Sequence, residues 1–198
     1  IHSRQATLGA MKSAEIAIEV FHPNAVIALG IAFGINSGKQ QIGEVLISES
    51  ITTYELARIN KDGSITSRGP RPPASKNLRD WFHQLDAYLN ASNSAEYAKR
   101  YIGSMFSGDK LIDNENYRDQ LLKIDPEAIG GEMEGSGIFH ACEESGTDWI
   151  VVKAICDFAD GNKGKNKDAN QKIAAENAAR LVKAALEFGN LYPTKKLS

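Results

Sequence analysis

The stretch WIVVKAICD, residues 149–157, constrains the fold more than any other. Ile150, Val151, Val152 and Ile155 are bulky and mostly β-branched, which favours a strand. The run is almost continuously apolar rather than alternating, as in a strand covered on both faces. A second run, AVIALGIAFG, carries Val26, Ile27 and Leu29 and reads as another buried strand, ending at Gly30 with Gly34 close behind. Strands of this kind need helices on both sides of one sheet.

Helical spacing is found where that requires it. Leu8, Met11, Ala14, Ile18 and Phe21 fall at three- and four-residue steps over 5–21, predicting one inward face. Leu78, Trp81, Phe82, Leu85 and Leu89 repeat the pattern. NENYRDQLLKID reads as a short helix stopped by Pro126, and 134–145 as a helix closed by Gly146. The alanine-rich segment 171–188 is expected to turn Ile173, Leu181, Val182 and Leu186 inward. Further strands are expected at 42–50 and within 97–108, the latter ending at Gly103. Residues 60–77, rich in Pro, Gly and basic side chains, read as an exposed loop or hairpin. The fold class is therefore α/β, with a mostly parallel, doubly covered sheet. The 198 residues suffice for one sizeable core.

Several function classes are disfavoured. A net charge of −2 gives no general attraction to nucleic acid or an anionic membrane. No apolar run approaches the roughly 18–20 residues of a membrane span, and the opening residues lack a signal-peptide core. Cys142 and Cys156 form no CxxC pair, so a zinc or disulfide scaffold is not expected. They read as small buried hydrophobes in a reducing, cytoplasmic setting.

In open α/β sheets, ligands bind beyond the carboxyl ends of the strands. Four places qualify: the glycine turn Gly30–Gly34, the Phe106 region after Gly103, the triplet Glu132–Met133–Glu134, and Asp157. Each has a plainer reading. Gly30 and Gly34 suit a tight turn, and their spacing matches no nucleotide-binding glycine loop. Phe106 suits a core. Glu132 and Glu134 suit the positive end of a helix. Asp157 suits a turn cap, although it is the first break in a long buried run. Lys153, two alternation steps before Asp157, needs a partner, and Glu132 is a candidate.

The segment GGEMEGSGIFHACEESGTDWIVVKAICDFADG resembles the purine nucleoside phosphorylase and nucleosidase superfamily. It is most similar to the methylthioadenosine/adenosylhomocysteine nucleosidase type, including domains fused to signalling or defence proteins. EMEG and ICDFAD at this separation carry the resemblance, which runs from RQATLGAMK to the last helix. It implies a three-layer αβα fold with a central twisted mixed sheet. It also implies hydrolysis of the N-glycosidic bond of a purine nucleoside or nucleotide, adenine being the expected base, with no metal or organic cofactor. Met133 is then expected under the ribose, and Glu134 on its 2′- and 3′-hydroxyls, since one carboxylate can accept from two vicinal hydroxyls. Glu132 would brace the sugar site or pair with Lys153. Gly30 would lie beside the substrate, and Phe106 would stack on the base. Asp157 would protonate or hydrogen-bond purine N7, making the base a better leaving group.

Departures from the family pattern sharpen the reading. Family members carry earlier strands and a water-activating glutamate ahead of RQATLGAMK. The resemblance therefore implies one domain, 1–198, that is N-terminally incomplete, with that acid upstream of Ile1. Ala28 and Ile31 stand where phosphorylases of the family have a serine and an arginine around the first glycine turn, which favours hydrolysis over phosphorolysis. Lys163, Lys165 and Lys167 follow Asp157 in a polar loop. They are either a solvated surface or contacts to a 5′-phosphate, Lys163 and Lys165 foremost. Phosphorolysis, or a non-catalytic nucleotide-sensing module of the same fold, are the alternatives. A homo-oligomer is expected by resemblance.

Overall fold

The computed structural model describes residues 6–63, 65–92, 94–162, 164 and 166–189. Its longest strands are β1 (Ala25–Gly34) and β7 (Asp148–Asp157), paired in parallel from Ala25 and Asp148 onward. β7 also pairs antiparallel with β2 (Val45–Thr53), which in turn runs parallel to β5 (Arg100–Ser107). The short β6 (Gly130–Glu132) joins β5 in parallel and touches the end of β1 antiparallel, Phe33 opposite Gly131. The result is the expected mostly parallel mixed sheet. A small hairpin lies outside it: β4 (Ile65–Ser67) falls within the segment 60–77 read as an excursion, and its partner β3 (Ala57–Ile59) begins just before it.

β7 is buried from Trp149 to Asp157, because it has strand neighbours on both edges and helices over it. Ile150, Val151, Val152 and Ile155 are fully buried, each contributing roughly 1.5–3 kcal/mol by leaving water. Helix α2 (Lys76–Ala91) buries Leu78, Phe82, Leu85 and Leu89, and Trp81 Nε1 donates to the Ala185 carbonyl of α5 (Lys167–Glu187) at 2.9 Å. α3 (Glu115–Ile124) starts where the Asn114 side chain accepts from Tyr117 N at 2.9 Å and stops before Pro126. α4 (Gly135–Ser145) ends at Gly146 in the left-handed conformation, φ 68°.

Four expectations are corrected. Gly103 does not end its strand, since β5 continues to Ser107. Gly30 and Gly34 form no turn and both lie within β1. On α1 (Thr7–Phe21) the buried residues are Ala10 and Ala14, whereas Leu8 and Phe21 are 61% and 70% exposed. α1 packs so closely on α4 that a methyl at Gly137 would run into the Thr7 carbonyl. Backbones that close admit alanine at the contact, not leucine. α5 behaves alike: Ala174, Ala178, Ala184 and Ala185 are buried with Leu181 and Val182, while Ile173 and Leu186 face out.

Candidate active site

A cavity of about 540 Å³ opens between α1, the face of β1, the β6–α4 junction, the loop after β5 and the end of β7. It gathers Gly30, Glu132, Met133, Glu134, Lys153 and Asp157 into one wall system. Residues more than a hundred positions apart thus meet at one site.

The β6–α4 junction is built around Glu132. Its carboxylate accepts from the Glu134 amide at 2.8 Å and from the Gly135 amide at 3.0 and 2.9 Å. The Ser107 hydroxyl takes the Ser136 amide at 2.8 Å. The first N–H groups of α4 are therefore satisfied from within the protein. Glu132 is 4% exposed and acts as a helix-terminal acid, the plainer of its two readings.

Lys153 rises from β7 between the two glutamates. Its Nζ lies 2.8 Å from Glu134 Oε2 and 3.6 Å from Glu132 Oε2. The expected Glu132 pairing is present, and the closer partner is Glu134. Burial alone would depress the Lys153 ammonium, but the two carboxylates outweigh it and hold its pKa above the ordinary lysine value. Gly30 sits directly across the strand pair, in register with Lys153. A Cβ at Gly30 would stand 3.0 Å from Nζ, so glycine leaves the ammonium its room. The Glu134 side chain keeps 26% of its surface, at the cavity.

Asp157 lines the cavity at the end of β7, two alternation steps beyond Lys153, and is 8% exposed. Its Oδ1 accepts from the Ala159 amide at 3.0 Å, and Cys156 Sγ lies 3.2 Å from Oδ2. The β1–β7 ladder slips at this point: Ala32 faces Ile155, Phe33 faces Asp157, and Cys156 is skipped. With this bulge two consecutive residues, Cys156 and Asp157, both line the cavity.

Phe106 is not at the cavity wall. It is fully buried, edge-on to Tyr54 at a centroid distance of 6.3 Å, in a cluster with Phe33, Ile112 and Leu121. The wall on this side is instead Lys110, Leu111 and Ile112, with Phe33 from β1. Sequence reasoning missed these because it ended the strand at Gly103. With the end at Ser107, the rule of strand carboxyl ends points to SGDKLI. Lys163 and Lys165 lie outside the described residues. Lys167 is the first residue of α5 and is exposed.

A family profile described as the phosphorylase superfamily matches residues 7–187. The chain belongs to that superfamily. Among superfamily relatives it is 31% identical, over 199 residues, to a death domain-containing ATP nucleosidase of Amphimedon queenslandica; the match covers 90% of this chain and 36% of that protein. It is 31% identical over 193 residues to the ATP nucleosidase Cap17 of Escherichia coli, covering 85% of this chain and 37% of the relative. The 5′-methylthioadenosine/S-adenosylhomocysteine nucleosidase of Buchnera aphidicola is 26% identical, with coverages of 91% and 74%. The chain thus spans little more than a third of the length of these two ATP nucleosidases. The nucleosidase of Neisseria meningitidis, solved with methylthio-immucillin-A, superposes with a TM-score of 0.76 at 23% identity, over 94% of this chain and 79% of that one. At that identity the likeness is one of fold, and it identifies the three-layer superfamily architecture. Among the described residues no helix is long and apolar enough to cross a membrane.

Proposed function

We propose that this superfamily site hydrolyses the N-glycosidic bond of a purine nucleoside or nucleotide and releases the free base, adenine foremost. The observation that carries this reading is the meeting of Met133, Glu134 and Asp157 at one cavity. Met133 gives the sugar an apolar floor. Glu134, anchored through Oε2 by Lys153, accepts from the vicinal ribose hydroxyls. Asp157 meets purine N7 from the end of β7. As the bond from the sugar to the base nitrogen breaks, its electron pair leaves with the base and N7 gains a proton from Asp157; water oxygen bonds to the anomeric carbon and releases a proton to solvent, from which Asp157 is reprotonated.

The cavity suits water better than inorganic phosphate as the nucleophile. Among the described residues lining it, the lysines are Lys110 and Lys153. Lys110 pairs with Glu55, and Lys153 with Glu132 and Glu134. The Glu134, Gly135 and Ser136 amides are already held by Glu132 and Ser107. Ala28 and Ile31 add no charge to the wall. Hydrolysis predicts equal base release in phosphate-free and phosphate buffers; dependence on phosphate would make the chain a phosphorylase. Asp157→Asn should lower turnover by about 10²–10⁴-fold while ligand binding survives. Binding without base release by the unaltered chain would make it a sensor.

The relatives named ATP nucleosidases favour a nucleotide substrate, with Lys163 and Lys165 as contacts to the 5′-phosphates. Adenine release from AMP or ATP supports that assignment, whereas release from methylthioadenosine alone removes it. Assembly as a homo-oligomer, a cytoplasmic setting and linkage to signalling or defence domains belong to the same proposal. Light scattering of the full chain tests the first.

A further inference from the structure

The turn that follows Asp157 is unusual for its sequence. Ala159 is left-handed, φ 51°, and fully buried, and Gly161 is left-handed at φ 82°. A left-handed alanine is strained and persists only where its surroundings fix it. Asp157 itself supplies one restraint, through the Ala159 amide. The other two come from another part of the chain. Asp113 Oδ1 accepts the Gly161 amide at 3.0 Å, and Arg118 Nη1 donates to the Phe158 carbonyl at 3.0 Å.

Arg118 is 8% exposed. Its Nε and Nη2 are spent within its own helix, on Asp119 at 3.1 and 3.0 Å and on Glu115 at 3.1 Å. Those contacts balance the guanidinium charge. Nη1 leaves the helix and takes a carbonyl forty residues away in sequence, one position beyond Asp157. Asp113 lies one residue past Ile112, which with Leu111 lines the cavity. The segment 111–118 therefore joins the wall that would face the base to the turn that aims Asp157.

We propose that Asp113 and Arg118 are positioning residues: together they clasp the 158–161 turn and fix the Asp157 carboxylate against the base. The proposal rests on the hydrolase reading of Asp157. Misplacement by about 1 Å is enough to cost on the order of 10²-fold in rate. Because the contact to the base counts most as the bond breaks, the loss falls on kcat rather than KM.

The test uses the full chain with Asp113→Ala, Asp113→Asn, Arg118→Leu and Arg118→Lys, reading adenine release and amide hydrogen exchange. Asp113→Ala and Arg118→Leu should lower kcat by about 10- to 100-fold with little change in KM. Asp113→Asn keeps a carbonyl acceptor for the Gly161 amide and should restore most of that loss. Exchange at Ala159 and Gly161 should quicken in Asp113→Ala while the amides of β7 stay protected. If Arg118→Leu does not fold, the Asp113 pair carries the decision. An active unaltered chain whose Asp113→Ala variant keeps full kcat overturns the clasp, as does a rise in KM at constant kcat. An unaltered chain that releases no base overturns the hydrolase reading instead. Exchange then decides the clasp alone: faster exchange at Ala159 and Gly161 in Asp113→Ala upholds it, and unchanged exchange sinks it.

Discussion

At the end of the cavity proposed for the sugar, Glu134 is held by the Lys153 ammonium at 2.8 Å, beside the buried Glu132. At the end proposed for the base, Asp157 is held by the Ala159 amide and a turn of left-handed residues. Charge fixes the first carboxylate, and backbone conformation fixes the second. The sugar end should therefore fail when a charge is removed, and the base end when the chain is allowed to relax.

Lys153→Met should have the largest effect. It leaves two carboxylates beside a buried methionine, and removing one partner of such a group costs about 3–5 kcal/mol. Urea denaturation would measure it; a loss under about 1 kcal/mol would mean that water reaches the cluster. The pH dependence has a definite sign. Lys153 has its pKa raised on folding, so its contribution is complete below the unfolded lysine value of about 10.4. It disappears as pH climbs through the higher folded value. The variant should thus lose part of the alkaline limb of the stability curve and leave the neutral region flat.

Glu134→Gln comes next. Glu132 still accompanies Lys153, so folding should change less than in Lys153→Met. Losing charged acceptors for the ribose hydroxyls should weaken nucleoside binding by about 1.5–3 kcal/mol, read by calorimetry. Gly30→Ala asks the Lys153 end group to give by a few tenths of an ångström. A cost near 1 kcal/mol is expected, and the same change made with Lys153→Met should cost nothing further. Ala159→Gly should be the smallest in stability, within about 1 kcal/mol, because relief of strain offsets the extra freedom of the unfolded glycine. Its signature would be faster exchange at Gly161. Unaltered exchange there would mean that the base end is held by more than the turn.

Much of the sugar end was legible because its signals are local. The triplet Glu132–Met133–Glu134 stands at a helix start, and alternation along WIVVKAICD sets Lys153 apart as a buried cation in need of an acid. Asp157 stood out as the break in an apolar run. The base end depends on register, which no single segment encodes. The slip at Cys156 arises from pairing with β1, and the passage of β5 beyond Gly103 arises from pairing with β2 and β6. Those pairings moved the wall from Phe106 to Leu111 and Ile112. The inner faces of α1 and α5 were legible in part: Ala14, Leu181 and Val182 are buried and Met11 and Ile18 pack on the core, whereas Leu8, Phe21, Ile173 and Leu186 face out. Hydrophobic periodicity finds large residues, whereas close helix contacts select alanine, as at Ala10, Ala14, Ala174 and Ala178.

The buried cluster also has a sign. Two carboxylates share one ammonium, so the sugar end of the cavity retains one negative charge within a largely apolar wall. Fixed charge in such a place is screened less than on an open surface. It attracts the positive charge that a ribosyl ring gathers as its glycosidic bond stretches. On the proposed hydrolase reading, the arrangement that anchors Glu134 is thus also a standing electric field, present before any substrate arrives, that favours the departing state of the sugar over its resting one.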